Sequence, residues 1–223
     1  MMEQEGTLTH ARLKTPRAAA IAGIVFSILL ITSLVLIRIS VPANPQDAET
    51  WLLSGWKTVS LALHLLPFAG IAFLWFIGVL RDRMGAYEDR FFATVFLGSG
   101  LLFLAMLFAS AAVAGGIMMI YGTTPGKLME SGTYIFGRTV ASHITNVYTV
   151  KMAGVFMISA CTLSTRTRIF PRWMAFLGYA LALLLLLSIG YFSWVLLVFP
   201  LWVLLISVYI LLANLKANSA SDL

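Results

Sequence analysis

From Ala18 to Ile37 the chain carries no charged side chain, and about 20 apolar residues is the length at which a helix crosses a hydrocarbon core of about 30 Å. Comparable apolar runs recur to the end of the sequence. In lipid only helices and closed barrels satisfy every backbone N–H and C=O internally. Runs of this length, without strict alternation, select the helix. The chain is 60% hydrophobic and 11% charged, against about 45–50% and 25% in an ordinary soluble domain, so water is not its main solvent.

The fold predicted is all-α, a polytopic transmembrane bundle in one domain with six spans near 18–37, 58–80, 91–121, 143–163, 173–187 and 194–213. Residues 1–17 and 214–223 are read as cytoplasmic tails. Arg12, Lys14 and Arg17 precede the first run as they would in a leader peptide, but the run is too long for a cleaved core and no small-x-small site follows it. Polar connections rich in Pro, Asn and Gly are expected over 38–57 and 122–142, with a tight charged link over 81–90. The third run exceeds the bilayer thickness and is expected to tilt, break or protrude near Gly115 and Gly116. The apolar stretch from Trp173 to Ala213 is too long for one crossing, which places a hairpin over 188–193.

Cytoplasmic loops carry the excess of Lys and Arg. With the N-terminus inside, the inner side holds Arg12, Lys14, Arg17, Arg81, Arg83, Arg90, Arg166, Arg168, Arg172 and Lys216, and the outer side only Arg38, Lys57, Lys127 and Arg138. Both termini are therefore expected in the cytoplasm of a bacterial cell, with the protein in its inner membrane. Trp51, Trp56, Trp173 and Trp194 fall near the expected interfaces, as an aromatic belt requires. The net charge of +6 is spent on bracketing apolar runs, which argues for orientation in a bilayer and against a nucleic-acid surface. Close helix packing in lipid calls for small residues, and Ala105, Ala109, Ala112 and Gly116 on the third span and Ala175, Gly178 and Ala182 on the fifth meet that need.

No Asp or Glu lies in any predicted span. Proton relays, cation-coupled pumps, di-iron bundles and zinc proteases all draw on buried carboxylates, and these classes lose their support. The single cysteine, Cys161, excludes an intrachain disulfide. No nucleophile with a matching acid/base pair stands out, so an enzyme is the less favoured class.

The polar content of the spans is basic: Lys151, His143 and Asn146 on the fourth and His64 on the second, three residues before Pro67. Pro67 cannot donate to the carbonyl of Leu63, which leaves an acceptor beside His64. Helical side chains lean towards the N-terminus of their helix, so Lys151 is expected to reach outward, towards Tyr148, Asn146 and His143. Three readings follow. In the plainest, Lys151 snorkels to the interface and the histidines bond backbone carbonyls. In the second, Lys151, His64, His143 and Asn146, with Arg38 and Arg138 at the rim, form an outward basic pocket for an anionic solute or lipid headgroup. In the third, His64 and His143 ligate a b-type haem. No metal site is expected.

The link Gly78, Asp82, Arg83, Gly85 and Arg90 resembles the signature between the second and third helices of major facilitator transporters. That resemblance implies a gating role for Asp82, Arg83, Gly85 and Arg90. Ala86 and Tyr87 stand where that family has basic residues, and six spans are half a carrier. The segments LLPFAGIAFLWFIGVLRDRMG and EDRFFATVFLGSGLLF, together with 170–209, resemble an uncharacterised group of bacterial multi-pass membrane proteins. This second resemblance implies architecture and no activity. The functional expectation is a non-enzymatic binding, accessory or scaffold protein in the lipid bilayer. A small carrier or channel that works as a homo-oligomer, for an anionic or neutral solute, is the alternative.

Overall fold

The computed structural model describes residues 15–42, 55–84, 90–123, 128, 132–167, 170–188 and 194–219, and within them every regular element is helical. In order these are α1 (Thr15–Ser40), α2 (Trp56–Met84), α3 (Arg90–Thr123), α4 (Thr133–His143), a π-helical segment (Ile144–Thr149), α5 (Val150–Thr167), α6 (Arg172–Leu187), a short 3-10 turn (Val195–Leu197) and α7 (Val198–Ser219). The π segment joins α4 and α5 into one 34-residue span. Among the described residues five spans are long and apolar enough to cross a membrane, and α6, of 16 residues, is a shorter apolar helix. At about 1.5 Å per residue α6 measures about 24 Å, less than a typical hydrocarbon core.

Several boundaries differ from the expectation, each for a local reason. α1 continues to Ser40 and so takes Arg38 into its last turn, where a cation complements the negative end of the helix dipole. α3 runs unbroken through Gly115 and Gly116. The connection expected over 122–142 is helical from Thr133, because Tyr134 and Gly137 pack inward and let the turn before the fourth span continue. α7 extends to Ser219. The hairpin residues 189–193, Gly85 and Trp51 lie outside the described residues.

α1 packs on α2 and α7, α3 on α5 and α4, and α5 on α6. The pairs meet in an aromatic core. Phe73 of α2 stands at its centre, its ring centroid 4.5 Å from Phe26, 5.4 Å from Phe103, 5.1 Å from Phe156 and 5.7 Å from Phe199. One residue from each of α1, α2, α3, α5 and α7 therefore contributes to a single cluster. Because lipid tails are as apolar as these side chains, the gain is dispersion and shape fit rather than escape from water. The outer surface is correspondingly apolar: Trp75 is 66% exposed, Phe136 72% and Met119 77%. Such a surface belongs in acyl chains.

Two serines of α1 hide their hydroxyls by donating back along their own helix, Ser27 to the carbonyl of Gly23 at 2.7 Å and Ser33 to Leu29 at 2.8 Å. Of the two expected packing seams, only the one on α6 is used within the bundle. Ala175, Gly178 and Ala182 are buried, and a Cβ on Gly178 would stand 2.4 Å from Cys161 Sγ and 2.7 Å from Trp202 Nε1. On α3, Ala105, Ala112 and Gly116 are exposed. That helix turns Phe103, Leu104, Leu107 and Ser110 inward instead, because the larger apolar side chains on that face fill the aromatic core.

Candidate functional site

The C-terminal parts of α1 and α3 and the N-terminal parts of α2 and α4 lie at one end of the bundle and enclose a cavity of about 540 Å3. This is within the range of about 300–1,000 Å3 typical of small-molecule sites. Leu66 of α2 and Leu107 of α3 belong to the buried core and close the deep end. Leu34, Leu63, Ala111 and Ala114 continue the apolar wall. Nearer the mouth, Val59, Ile117 and Tyr134, with Leu128, form a second small buried cluster. Trp194, at the start of the last span, lies on the rim.

Two guanidiniums line the mouth. Arg38 comes from the last turn of α1 and Arg138 from α4. Arg138 is anchored on both sides: Nη1 donates to Tyr134 Oη at 3.2 Å, one turn earlier on the same helix, and Nη2 donates to the carbonyl of Pro42, just past α1. That second bond ties α4 to the end of α1 across the mouth.

The opposite wall is polar, with Ser142, Thr145 and Asn146 placed where the helix changes pitch. In the π segment backbone bonds run from residue i to i−5, as from Val150 N–H to the carbonyl of Thr145, and a widened turn loosens the hold on nearby carbonyls. Ser110 of α3 adds a donor to the carbonyl of Ala141, which also accepts from the N–H of Ile144. The Ser110 bond measures 2.8 Å, and Ser110 Oγ lies 2.7 Å from Thr145 Oγ1, so with the Ser110 proton spent on Ala141 the Thr145 hydroxyl donates to Ser110. Asn146, also on the wall, donates from Nδ2 to Ser142 Oγ at 2.9 Å.

The residues singled out in the sequence separate into two groups. Arg38, Arg138 and Asn146 line the cavity. Lys151, His64 and His143 do not. Lys151 does lean towards the mouth end of its helix, but its ammonium donates to the carbonyls of Leu185 at 3.1 Å, Leu186 at 2.6 Å and Ser188 at 2.6 Å. It binds there, rather than near Tyr148, Asn146 and His143, because α6 ends at Leu187 and its last carbonyls have no helical donor. His64 is exposed, with Nδ1 2.6 Å from the carbonyl of Ser60. His143 is exposed and packs edge-on against Tyr148, 5.8 Å between centroids. The two imidazoles face no common cavity, which leaves a haem between them without a seat. Among the described residues no group of three His, Cys, Asp or Glu is placed to hold a metal ion.

Asp82 and Arg83 fall in the last turn of α2 and Arg90 opens α3; their side chains, like Gly85, lie outside the described residues. Tyr134, Ser110 and Thr145 went unnoticed in the sequence. The spacing of Tyr134 and Arg138, four apart on one helix face, was the one available signal.

Helix length, apolarity and this cavity define the class: a helical membrane protein that encloses a cavity with two arginines at its mouth. Compared with protein-family models, with curated proteins and with solved structures, the chain matches none.

Proposed function

We propose that this is a non-enzymatic binding protein of the bacterial inner membrane, with six crossings, both termini in the cytoplasm, and a cavity that opens outward to take an anionic solute or lipid headgroup. The observation that carries the reading is the placement of Arg38 and Arg138 on one cavity. Arginine offers five N–H donors in a planar fork, the geometry that matches a carboxylate or phosphate. The distribution of Lys and Arg among the loops supports a mouth on the outer side. Lys151 enters this reading as a structural cap and His64 and His143 as peripheral groups.

The test is equilibrium binding of anionic and neutral probes to protein reconstituted in nanodiscs of zwitterionic lipid. Saturable binding of an anion that falls at least tenfold in both Arg38→Gln and Arg138→Gln, each still monodisperse, is the expected result. Anion binding unchanged in both variants removes the reading.

A small oligomeric carrier is the second reading, and the π segment on the cavity wall favours it, since such segments inside long helices recur at functional positions. Flux of a bound anion into liposomes that contain only this protein supports the carrier; binding without flux supports the receptor or accessory subunit.

A further inference from the structure

We infer that the ligand is an amphiphile, a single apolar chain that ends in a phosphate monoester or carboxylate, with the chain lying down the cavity and the oxyanion between Arg38 and Arg138. This rests on the preceding assignment of the cavity as an anion site and names the class of anion. A site built for a small hydrophilic anion surrounds it with donors. Here, among the described residues, the charged groups that line the cavity are the two arginines at its mouth; below them one wall is hydrocarbon and the other carries Ser110, Thr145 and Asn146.

Along α3 the lining runs from Met118 to Leu107, about 16 Å at 1.5 Å per residue, the reach of a medium-length alkyl chain. Leu34, Leu66 and Leu107 lie at the depth such a chain reaches, and Ala111 and Ala114 on α3 keep the passage open by being small. The hydroxyls of Ser110, Ser142 and Thr145 on the polar wall each have a bonded partner. Ser110 and Thr145 are bonded to each other and to the carbonyl of Ala141, so the wall asks no hydrogen bond of a methylene chain. A small hydrated oxyanion at the mouth would leave this apolar volume to water, which apolar walls hold poorly. A chain fills it.

The test uses dodecyl phosphate, inorganic phosphate and dodecanol as probes of the full chain in zwitterionic nanodiscs, counted against empty discs. The expected result is saturable, one-site binding of dodecyl phosphate, with inorganic phosphate and dodecanol each at least 100-fold weaker. Ala111→Phe, or Ala114→Leu should the first variant not fold, narrows the chain path and weakens dodecyl phosphate at least tenfold. Equal binding of inorganic phosphate and dodecyl phosphate, both lost in Arg38→Gln, overturns the amphiphile and leaves the anion site standing. Equal binding of dodecanol and dodecyl phosphate, indifferent to Arg38→Gln, overturns the anion site itself. Absence of saturable binding for all three probes with monodisperse protein overturns both.

Discussion

The ammonium of Lys151 lies 2.6 Å from the carbonyl oxygen of Leu186, so a cation in the fourth apolar span holds the end of α6. Leu185 and Ser188 accept from the same nitrogen, which uses all three of its N–H groups. The positive charge also meets the negative end of the α6 dipole. A helix shorter than a typical hydrocarbon core thus ends on an internal donor instead of on lipid.

Lys151→Met is expected to lower stability by about 2–4 kcal/mol, since hydrogen bonds to a charged group contribute about 1.5–3 kcal/mol each but unfolded segments in a membrane find substitute partners. Thermal unfolding in detergent measures the loss, and Lys151→Arg should recover part of it. Anion binding by folded Lys151→Met should match the parent. A variant of full stability that has lost binding would instead make Lys151 a ligand group.

At Gly178 α6 comes close to its neighbours, with Cys161 Sγ and Trp202 Nε1 both inside the radius of an added Cβ. Gly178→Val should cost about 1–3 kcal/mol by overpacking. Gly78 has open space at the same position, so Gly78→Val should change the melting temperature little. Equal melting temperatures for the two variants would show that α6 does not pack at this depth.

Removing the Ser110 hydroxyl takes the side-chain donor from the carbonyl of Ala141, which keeps the N–H of Ile144, and takes the acceptor from Thr145. Ser110→Ala should lower stability by about 1–2 kcal/mol. Combined with Thr145→Val, the loss should be smaller than the sum of the single effects, because the two side chains share one chain of bonds. Additive effects would mean that the hydroxyls act separately.

Topology is open to reporter fusions. Fusions at residue 86 and after Ser219 should report the cytoplasm, and a fusion at residue 127 the outside. Activity of an exported reporter at residue 86 would invert the bundle and turn the cavity mouth inward.

How much was legible in the chain varies by residue. Pro67 sits inside α2 without ending it, and His64 beside it bonds Ser60 rather than the carbonyl of Leu63; a residue four back on the same helix face was in reach and needed no neighbour. Arg38 and Arg138 stood in two different expected loops, 100 positions apart in number, and nothing in their spacing says that they share a cavity. The small-residue pattern on α3 and that on α6 look alike in sequence, yet only the second is buried. Which face of an apolar helix meets protein and which meets lipid is weakly encoded, because both environments are apolar.

Helical character, the positions of the apolar segments and the shortage of acid within them follow from the amino-acid order alone. Each depends on a local requirement: backbone groups in hydrocarbon must bond within their own segment, and charges avoid it. Which basic groups meet was decided by tertiary structure. α6 stops short and draws Lys151 to its free carbonyls, α4 begins early and carries Arg138 to the end of α1, and the gap between the two helix pairs becomes a cavity. Those outcomes depend on the relative placement of segments far apart in the chain, which local periodicity does not contain.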